Sequence, residues 1–262
     1  MGAALPMTPA QERATPALEV RDLTGPVGAP MLHDVNLSVA RGRTNLVLGP
    51  IHSGKSLLLR HLVGLECAES GTILVDGESY DATGEPERVL RRMRTRMGVV
   101  FEGSALLTRL SVLENVELPL LEHTAATAEE ARDAARELLA EVGLVFDVDL
   151  TPLQLGRLER RRVALARALA LRPHVILLDE PTHGLDPHSA QLFDDTVASL
   201  QDREGFALVI FSHEVRHAYG RAEYISVISD GRIVEEGERE TLLKSEHEVI
   251  RRLLKRRVRE RA

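Results

Sequence analysis

Three runs of residues have the types and spacing to handle a phosphorylated ligand. Gly49-Pro50-Ile51-His52-Ser53-Gly54-Lys55-Ser56 fits the pattern of a glycine, four free positions, then Gly-Lys-Ser. Backbone N–H groups in such a loop, and at the start of the helix behind it, point at phosphate oxygens. Lys55 brings a cation to the β- and γ-phosphates, and the Ser56 hydroxyl can ligate Mg²⁺. Val175-Ile176-Leu177-Leu178-Asp179-Glu180 is an apolar run that ends in two acids. Asp179 is expected to take Mg²⁺, directly or through water, and Glu180 to polarise an attacking water as general base. Val209-Ile210-Phe211-Ser212-His213 places a histidine at the end of another apolar run. Parallel strands end on one edge of a sheet, so His213 is expected near Asp179 and the loop, where it could hold the water. The chemistry these residues predict is hydrolysis of a nucleotide phosphate. His52 stands where many such loops carry another glycine; histidine tolerates the left-handed region better than most residues, so the loop is expected to form. The other nine histidines carry no comparable signal.

These side chains need a scaffold that brings distant segments together. Thr44–Leu48, Thr72–Val75, Gly98–Phe101, Val175–Leu178, Leu208–Phe211 and Ile225–Ile228 are the strand candidates. Several are apolar on successive residues, which suits strands buried on both faces. They alternate with helical patterns, the mark of an α/β fold. Between Phe101 and Val175 helices take over. Thr127 and Glu130 form a capping-box pattern, and the helix they open is expected to stop at Gly143. A second helix is expected from Glu159 to Leu171. The region 102–162 therefore reads as a helical insertion in the domain, and there is no internal repeat.

Composition excludes several alternatives. Aromatic residues make up 3 % and tryptophan is absent, which argues against a binder of single-stranded nucleic acid by base stacking. The lone cysteine, Cys67, allows no internal disulfide and fits a reducing compartment. Residues 1–16 lack an apolar signal core and read as a disordered tail, and no run approaches the roughly 18–20 apolar residues of a spanning helix. A soluble protein that meets a membrane through a partner is expected. The net charge is −7, yet residues 251–262 hold seven Lys/Arg and one Glu. A basic end on an acidic body suits an anionic partner such as lipid headgroups, or simply a solvated helix end. Residues 246–262 read as a basic helix with Val249, Ile250, Leu253, Leu254 and Val258 on one side, packed on a partner or on its own domain.

The motifs taken in order resemble an ABC transporter ATP-binding subunit across residues 17–245. They run from Gly49–Ser56 through Arg161-Arg162-Val163-Ala164-Leu165-Ala166-Arg167, Leu177-Leu178-Asp179-Glu180-Pro181-Thr182 and Gly184-Leu185-Asp186-Pro187 to Ser212-His213 and Gly231–Gly237. The resemblance implies a P-loop (RecA-like) core with a helical insertion and an antiparallel β region. It implies ATP and Mg²⁺ as cofactors, held by Gly49–Ser56, Glu102, Asp179 and Asp186, with Ser56, Glu102 and Asp179 on the metal. It also implies a second ABC ATPase subunit in a homo- or heterodimer, an integral membrane permease, and a place on the cytoplasmic face of the inner membrane. The spacing from Ser56 to Leu155 suits a transporter, because ABC proteins of DNA repair insert a long coiled coil there. Val100–Leu106, Glu114–Leu120 and Glu122-His123-Thr124 are similar to Mla and Mce type lipid transporters, which would add an MCE-domain protein as partner.

The chain departs from the family pattern in three places. Glu102 replaces the usual glutamine, and the aromatic residue expected against adenine near Gly25–Gly28 is missing. The signature, usually Leu-Ser-Gly-Gly-Gln, reads Leu155-Gly156-Arg157-Leu158-Glu159, so Arg157 and Leu158 are expected to place side chains where bare backbone should meet phosphate. Weak activity of the isolated chain is the expectation. The alternative is a cassette that binds nucleotide with little turnover and regulates or braces another ATPase subunit.

Overall fold

The computed structural model describes residues 16–25, 31–145, 149–214, 222–242, 244–251 and 253. Its strands are β1 (Pro16–Thr24), β2 (Val35–Ala40), β3 (Thr44–Leu48), β4 (Ser70–Val75), β5 (Glu78–Asp81), β6 (Met97–Val100), β7 (Val175–Asp179), β8 (Ala207–Ser212), β9 (Tyr224–Ser229) and β10 (Arg232–Glu238). The helices are α1 (Lys55–Leu62), α2 (Glu87–Thr95), α3 (Val112–His123), α4 (Ala128–Glu141), α5 (Arg157–Leu169), α6 (Pro187–Glu204) and α7 (Arg239–Leu242), with a single 3₁₀ turn at Pro152–Gln154.

Two sheets result. One has the order β10-β9-β3-β8-β7-β6 and is parallel except for the β9–β10 pair. The other, β2-β1-β4-β5, is antiparallel throughout. Strands β3 and β8 are buried along their whole length, and β7 up to Asp179. Their side chains alternate between two cores, as the pleat requires. Leu46, Leu48, Ile176, Leu178, Leu208 and Ile210 face the core shared with α3, α4, α5 and α6. Val47, Val175, Leu177, Val209 and Phe211 face the opposite core, shared with α1 and the antiparallel sheet. Cover on both faces is why these strands read as continuous apolar runs. The buried Asn45 amide is satisfied by the Ser226 hydroxyl at 3.1 Å.

All six strand candidates appear, and one is shifted: β6 begins at Met97 and ends at Val100, a residue before Phe101. The strands not anticipated are the partly exposed ones. β5 is Glu-Ser-Tyr-Asp, β10 has no fully buried residue, and β1 is broken by register shifts. Pro16, expected in the tail, opens β1; residues 1–15 lie outside the described residues.

The capping box at α4 forms in both directions. Glu130 N–H donates to Thr127 Oγ1 at 3.2 Å, and Thr127 N–H donates to Glu130 Oε2 at 2.7 Å. A second capping box, Ser111 with Glu114, opens α3. Helix α5 begins two residues before the expected Glu159 because Gly156, in extended conformation, already supplies the cap. It ends at Leu169, and Arg172 at φ 48° then turns the chain away.

Residues 248–251 and 253 are helical, and Ile250 and Leu253 are buried in the same core as Ile225, Val227 and Leu242. Of the apolar side expected there, these two and the partly buried Val249 pack on the chain's own domain; Leu254 and Val258 lie outside the described residues. Among the described residues no helix is long and apolar enough to cross a membrane.

Helix α5 lies directly on β6. A Cβ on Gly98 would stand 2.3 Å from the Ala168 carbonyl oxygen and 2.6 Å from Ile176 Cδ1. Gly98→Ala is therefore expected to destabilise the fold by about 1–3 kcal/mol through overpacking, seen as a lower urea midpoint with unchanged slope.

Candidate functional site

The loop between β3 and α1 folds as its residue types dictate. Gly49 N–H donates to Ser212 O at 3.1 Å, and Gly231 N–H donates to Ser53 O at 2.9 Å. A Cβ at Gly49 would sit 2.3 Å from Ile228 O, so only glycine lets the loop lie against β9. His52 takes φ 66° and Gly54 φ 108°, which turn the loop back into α1. The left-handed conformation anticipated for His52 is thus present. Lys55 is only 6 % exposed, and its Nζ donates to Gly49 O at 2.8 Å and Pro50 O at 2.9 Å. Burial lowers the Lys55 pKa, while the charges of Glu180 and Asp179 oppose that shift. Ile51 is exposed at the tip, Ser56 is exposed on the first turn of α1, and Ser53 Oγ is buried without a hydrogen-bond partner among the described residues.

Four strand ends stand in a row behind this loop. Leu48 pairs with Ser212, Phe211 with Asp179, and Leu178 with Val100. The parallel register therefore delivers Ser212-His213, Asp179-Glu180 and Phe101-Glu102 to one edge. Burial, then the charges of Glu180 and Glu102, push the Asp179 carboxyl up to about 6, against the pull of Lys55 and Arg161. Glu180 sits at φ 44°, a conformation uncommon for a residue with a side chain. Its Oε1 accepts from His213 N–H at 2.9 Å and from His213 Nδ1 at 2.7 Å, and its Oε2 accepts from Ser212 Oγ at 3.1 Å.

Glu102 Oε1 is 2.7 Å from His183 Nδ1. The His183 and His213 rings meet edge to face with centroids 5.6 Å apart. His183 thus joins the cluster, although nothing in its sequence surroundings set it apart. Helix α5 holds the loop after β6 from below, with Arg161 Nη1 donating to Phe101 O at 2.8 Å and Arg167 donating to Ser104 O and Ala105 O.

Asp186 stands apart from this cluster. It caps α6, its Oδ1 accepting from His188 N–H at 3.0 Å and Ser189 N–H at 3.1 Å. The segment expected to carry adenine contacts, Pro26 and Val27, lies outside the described residues.

At the start of α5 the structure corrects an expectation. Leu158 turns inward onto the core and Arg157 Nη1 donates to Gly184 O at 2.9 Å, so the two side chains are drawn to the chain's own fold. Glu159 folds back over Gly156, where a Cβ would lie 2.3 Å from Glu159 Oε2.

The donor set fits a nucleotide and Mg²⁺. The loop offers a buried cation, an orphaned hydroxyl at Ser53 and a glycine cradle, while Ser56 and Asp179 offer hard oxygen ligands. Among the described residues no group of three or more His, Cys, Asp or Glu could cage a metal, so Mg²⁺ would draw its other ligands from phosphate and water. Fold and site together define a P-loop nucleotide-binding protein.

Comparison with known proteins agrees. Residues 32–183 match the family model described as ABC transporter. The chain is 38 % identical to the methionine import ATP-binding protein MetN 1 of Rhodococcus jostii, over 88 % of this chain and 69 % of that protein. It is 35 % identical to the intermembrane phospholipid transport system ATP-binding protein MlaF of Haemophilus influenzae, over 87 % of this chain and 86 % of that one. The solved dimer of the ATP-binding cassette MJ0796 with ADP and Pi superimposes with a TM-score of 0.75 at 29 % identity, covering 84 % of this chain and 98 % of the other. The chain belongs to the ABC transporter family, and within it is an ATP-binding ATPase subunit that uses Mg²⁺.

The raised Asp179 pKa has a consequence for stability. Because the folded pKa lies above the unfolded one, the group opposes folding once it ionises. The contribution of this one group is most favourable below pH 4, the unfolded range, and is lost as pH rises through about 6. In nucleotide-free protein, Asp179→Asn is expected to raise the melting temperature by a few degrees at pH 7.5 and by less at pH 5, measured by circular dichroism.

Proposed function

We propose that this chain is the ATP-hydrolysing subunit of a lipid transporter and drives a separate membrane permease from the cytoplasmic face of the inner membrane. The observation that carries the catalytic part is the clustering of buried Lys55, Asp179 and the Glu180–His213 pair at one sheet edge. In this reading residues 17–245 form the ATPase domain, with 102–162 as its helical insertion. Gly49–Ser56 cradle the phosphates with backbone N–H groups, and Lys55 leaves the Gly49 and Pro50 carbonyls to meet them. Ser56, Asp179 and Glu102 present oxygens to Mg²⁺, which when bound neutralises phosphate charge. Glu180 accepts the proton of the attacking water, and His213, already hydrogen-bonded to it, holds base and water in line. Asp186, which caps α6, is in this reading a further nucleotide-binding residue.

The lipid cargo is supported by the likeness to a phospholipid transport ATPase and by the Val100–Leu106 and Glu114–Leu120 segments. The likeness to a methionine importer, at 38 % identity against 35 %, is the competing reading. An MCE-domain protein would accompany a lipid permease. Copurification of the chain with its permease, followed by mass spectrometry of bound lipids, decides between them: phospholipid supports the proposal, and stimulation of ATPase activity by methionine with its binding protein overturns the lipid part.

A second reading, a cassette with little turnover, draws on the start of α5. There Arg157 is engaged with Gly184 and Glu159 places an anion at the helix N-terminus, where a phosphate would otherwise be attracted. A heterodimer with a partner whose signature is intact would keep one good site.

Glu180→Gln is expected to lower turnover by about 10²–10⁴ while sparing ATP binding, measured by phosphate release and nucleotide titration; an equal rate would remove Glu180 as the base. Gly156→Ser, Arg157→Gly and Glu159→Gln made together, with Leu158 kept in its core contact, are expected to raise the activity of the isolated chain by about 10²–10³, the worth of one oxyanion donor. Brisk turnover by the unmodified chain alone would show that the loop needs no repair.

A further inference from the structure

Beside Glu214, whose Oε1 is 3.7 Å from His213 Nε2, the carboxylates of Glu180, Asp179 and Glu102 converge at the edge that faces the phosphate-binding loop, and each of these three needs a counterpart if an anionic nucleotide is to enter. Glu180 has His213 and Ser212. Asp179 has the nearby charges of Lys55 and Arg161. Glu102 has His183, whose Nδ1 lies 2.7 Å from Oε1. An ionised carboxylate can only accept, so His183 Nδ1 carries the proton and donates. His183 is also fixed from behind. Its N–H donates to Glu180 O at 3.1 Å, and its ring stands edge-on to that of His213. A continuous line of contacts therefore runs Glu102–His183–His213–Glu180. Without His183, the Glu102 charge would bear undivided on the same space as the other two acids, and that charge already acts on Asp179.

We propose that His183 is a positioning residue for nucleotide use: its ring ties down Glu102 through Oε1, which keeps the carboxylate from repelling the phosphates and leaves the other oxygen for Mg²⁺, while its backbone N–H separately holds the turn after Glu180. The inference rests on the reading of this edge as the ATP site. It makes His183 necessary because position 102 is a glutamate, so the two residues function as a unit. The pair is about half exposed, which limits its worth to that of an exposed polar contact.

The test is a double-mutant cycle on the full chain, read by calorimetric titration with a non-hydrolysable ATP analogue and Mg²⁺, and by kcat and KM for ATP. His183→Ser is expected to weaken analogue binding by about two- to fivefold and to raise KM more than it lowers kcat. In a Glu102→Gln background the same substitution is expected to have a clearly smaller effect, because no charge is left to restrain. His183→Asn, which keeps an N–H donor in reach of Glu102, is expected to retain most of the parent's affinity. Equal losses from His183→Ser in both backgrounds, or an asparagine variant as poor as the serine one, would overturn the proposal.

A second measurement needs no nucleotide and no serine variant. In the nucleotide-free protein the His183 Nδ1 nitrogen is expected to give the nitrogen NMR signal of a proton-bearing, hydrogen-bonded ring nitrogen, which Glu102→Ala shifts. Absence of that signal in the parent refutes the pair. Failure of the parent to bind the analogue, with the signal present, refutes the ATP-site reading instead.

Discussion

The ammonium of Lys55 lies in the interior, and a buried charge must be matched. Two carbonyls of its own loop take its protons, while Asp179 and Glu180 supply the opposing charge. Neither acid comes from the same part of the chain. Both are delivered by β7, two strands away from β3, with β8 between them. The match between cation and anions therefore requires the parallel sheet to be assembled in register, since a slip of one residue would turn Asp179 into the core and bring Leu178 to the edge. Most of what the molecule does follows from meeting this one demand.

The helices serve the same edge. Alternate residues of β3, β7 and β8 feed two cores, so the sheet is clamped from both sides and its ends are stiff. Glycines mark where that clamp is tightest, at Gly98 beneath α5 and at Gly49 against β9. The antiparallel sheet completes the α1 side by burying Leu18, Val20, Val35 and Ile73 in the core that holds Leu57, Leu58 and Leu62. The chemistry stands on a rigid floor, with the exposed side chains of Ile51, Glu102 and His183 at its rim.

Sequence reading works here where burial leaves a pattern. Strands β3, β7 and β8 announce themselves because both faces are apolar, and the acids and histidine that end β7 and β8 could be placed on one edge from parallelism alone. The left-handed turn at His52 was legible from the loop pattern. The antiparallel strands were not, because β5 and β10 carry mostly polar residues and owe their form to their neighbours. His183 escaped notice for another reason. It is exposed on a turn, and its partner Glu102 lies 81 residues away in sequence. Leu158 is expected beside phosphate only through the likeness of Leu155–Glu159 to the family signature, whereas its side chain packs on the core of its own domain. Asp186 reads as well as a helix cap as it does a ligand, and the structure shows the cap.

The loop after β6 holds two successive non-glycine residues, Ser104 at φ 63° and Ala105 at φ 46°. Such backbone costs of order 1–3 kcal/mol for each residue and persists only while its surroundings insist on it. Arg167 donates to the carbonyl of each, while Arg161 and Ser104 N–H both donate to Phe101 O just before them. Burial lowers the Arg167 pKa, yet a guanidinium stays charged at any physiological pH, so the grip does not loosen with acidity. The loop is thus strained backbone tied to α5 at three of its carbonyls. A displacement of α5 by little more than a hydrogen-bond length would free these carbonyls at once, and the backbone would relax toward ordinary geometry. Small movement of a helix would then become a larger change in a loop, driven by energy laid down when the chain folded.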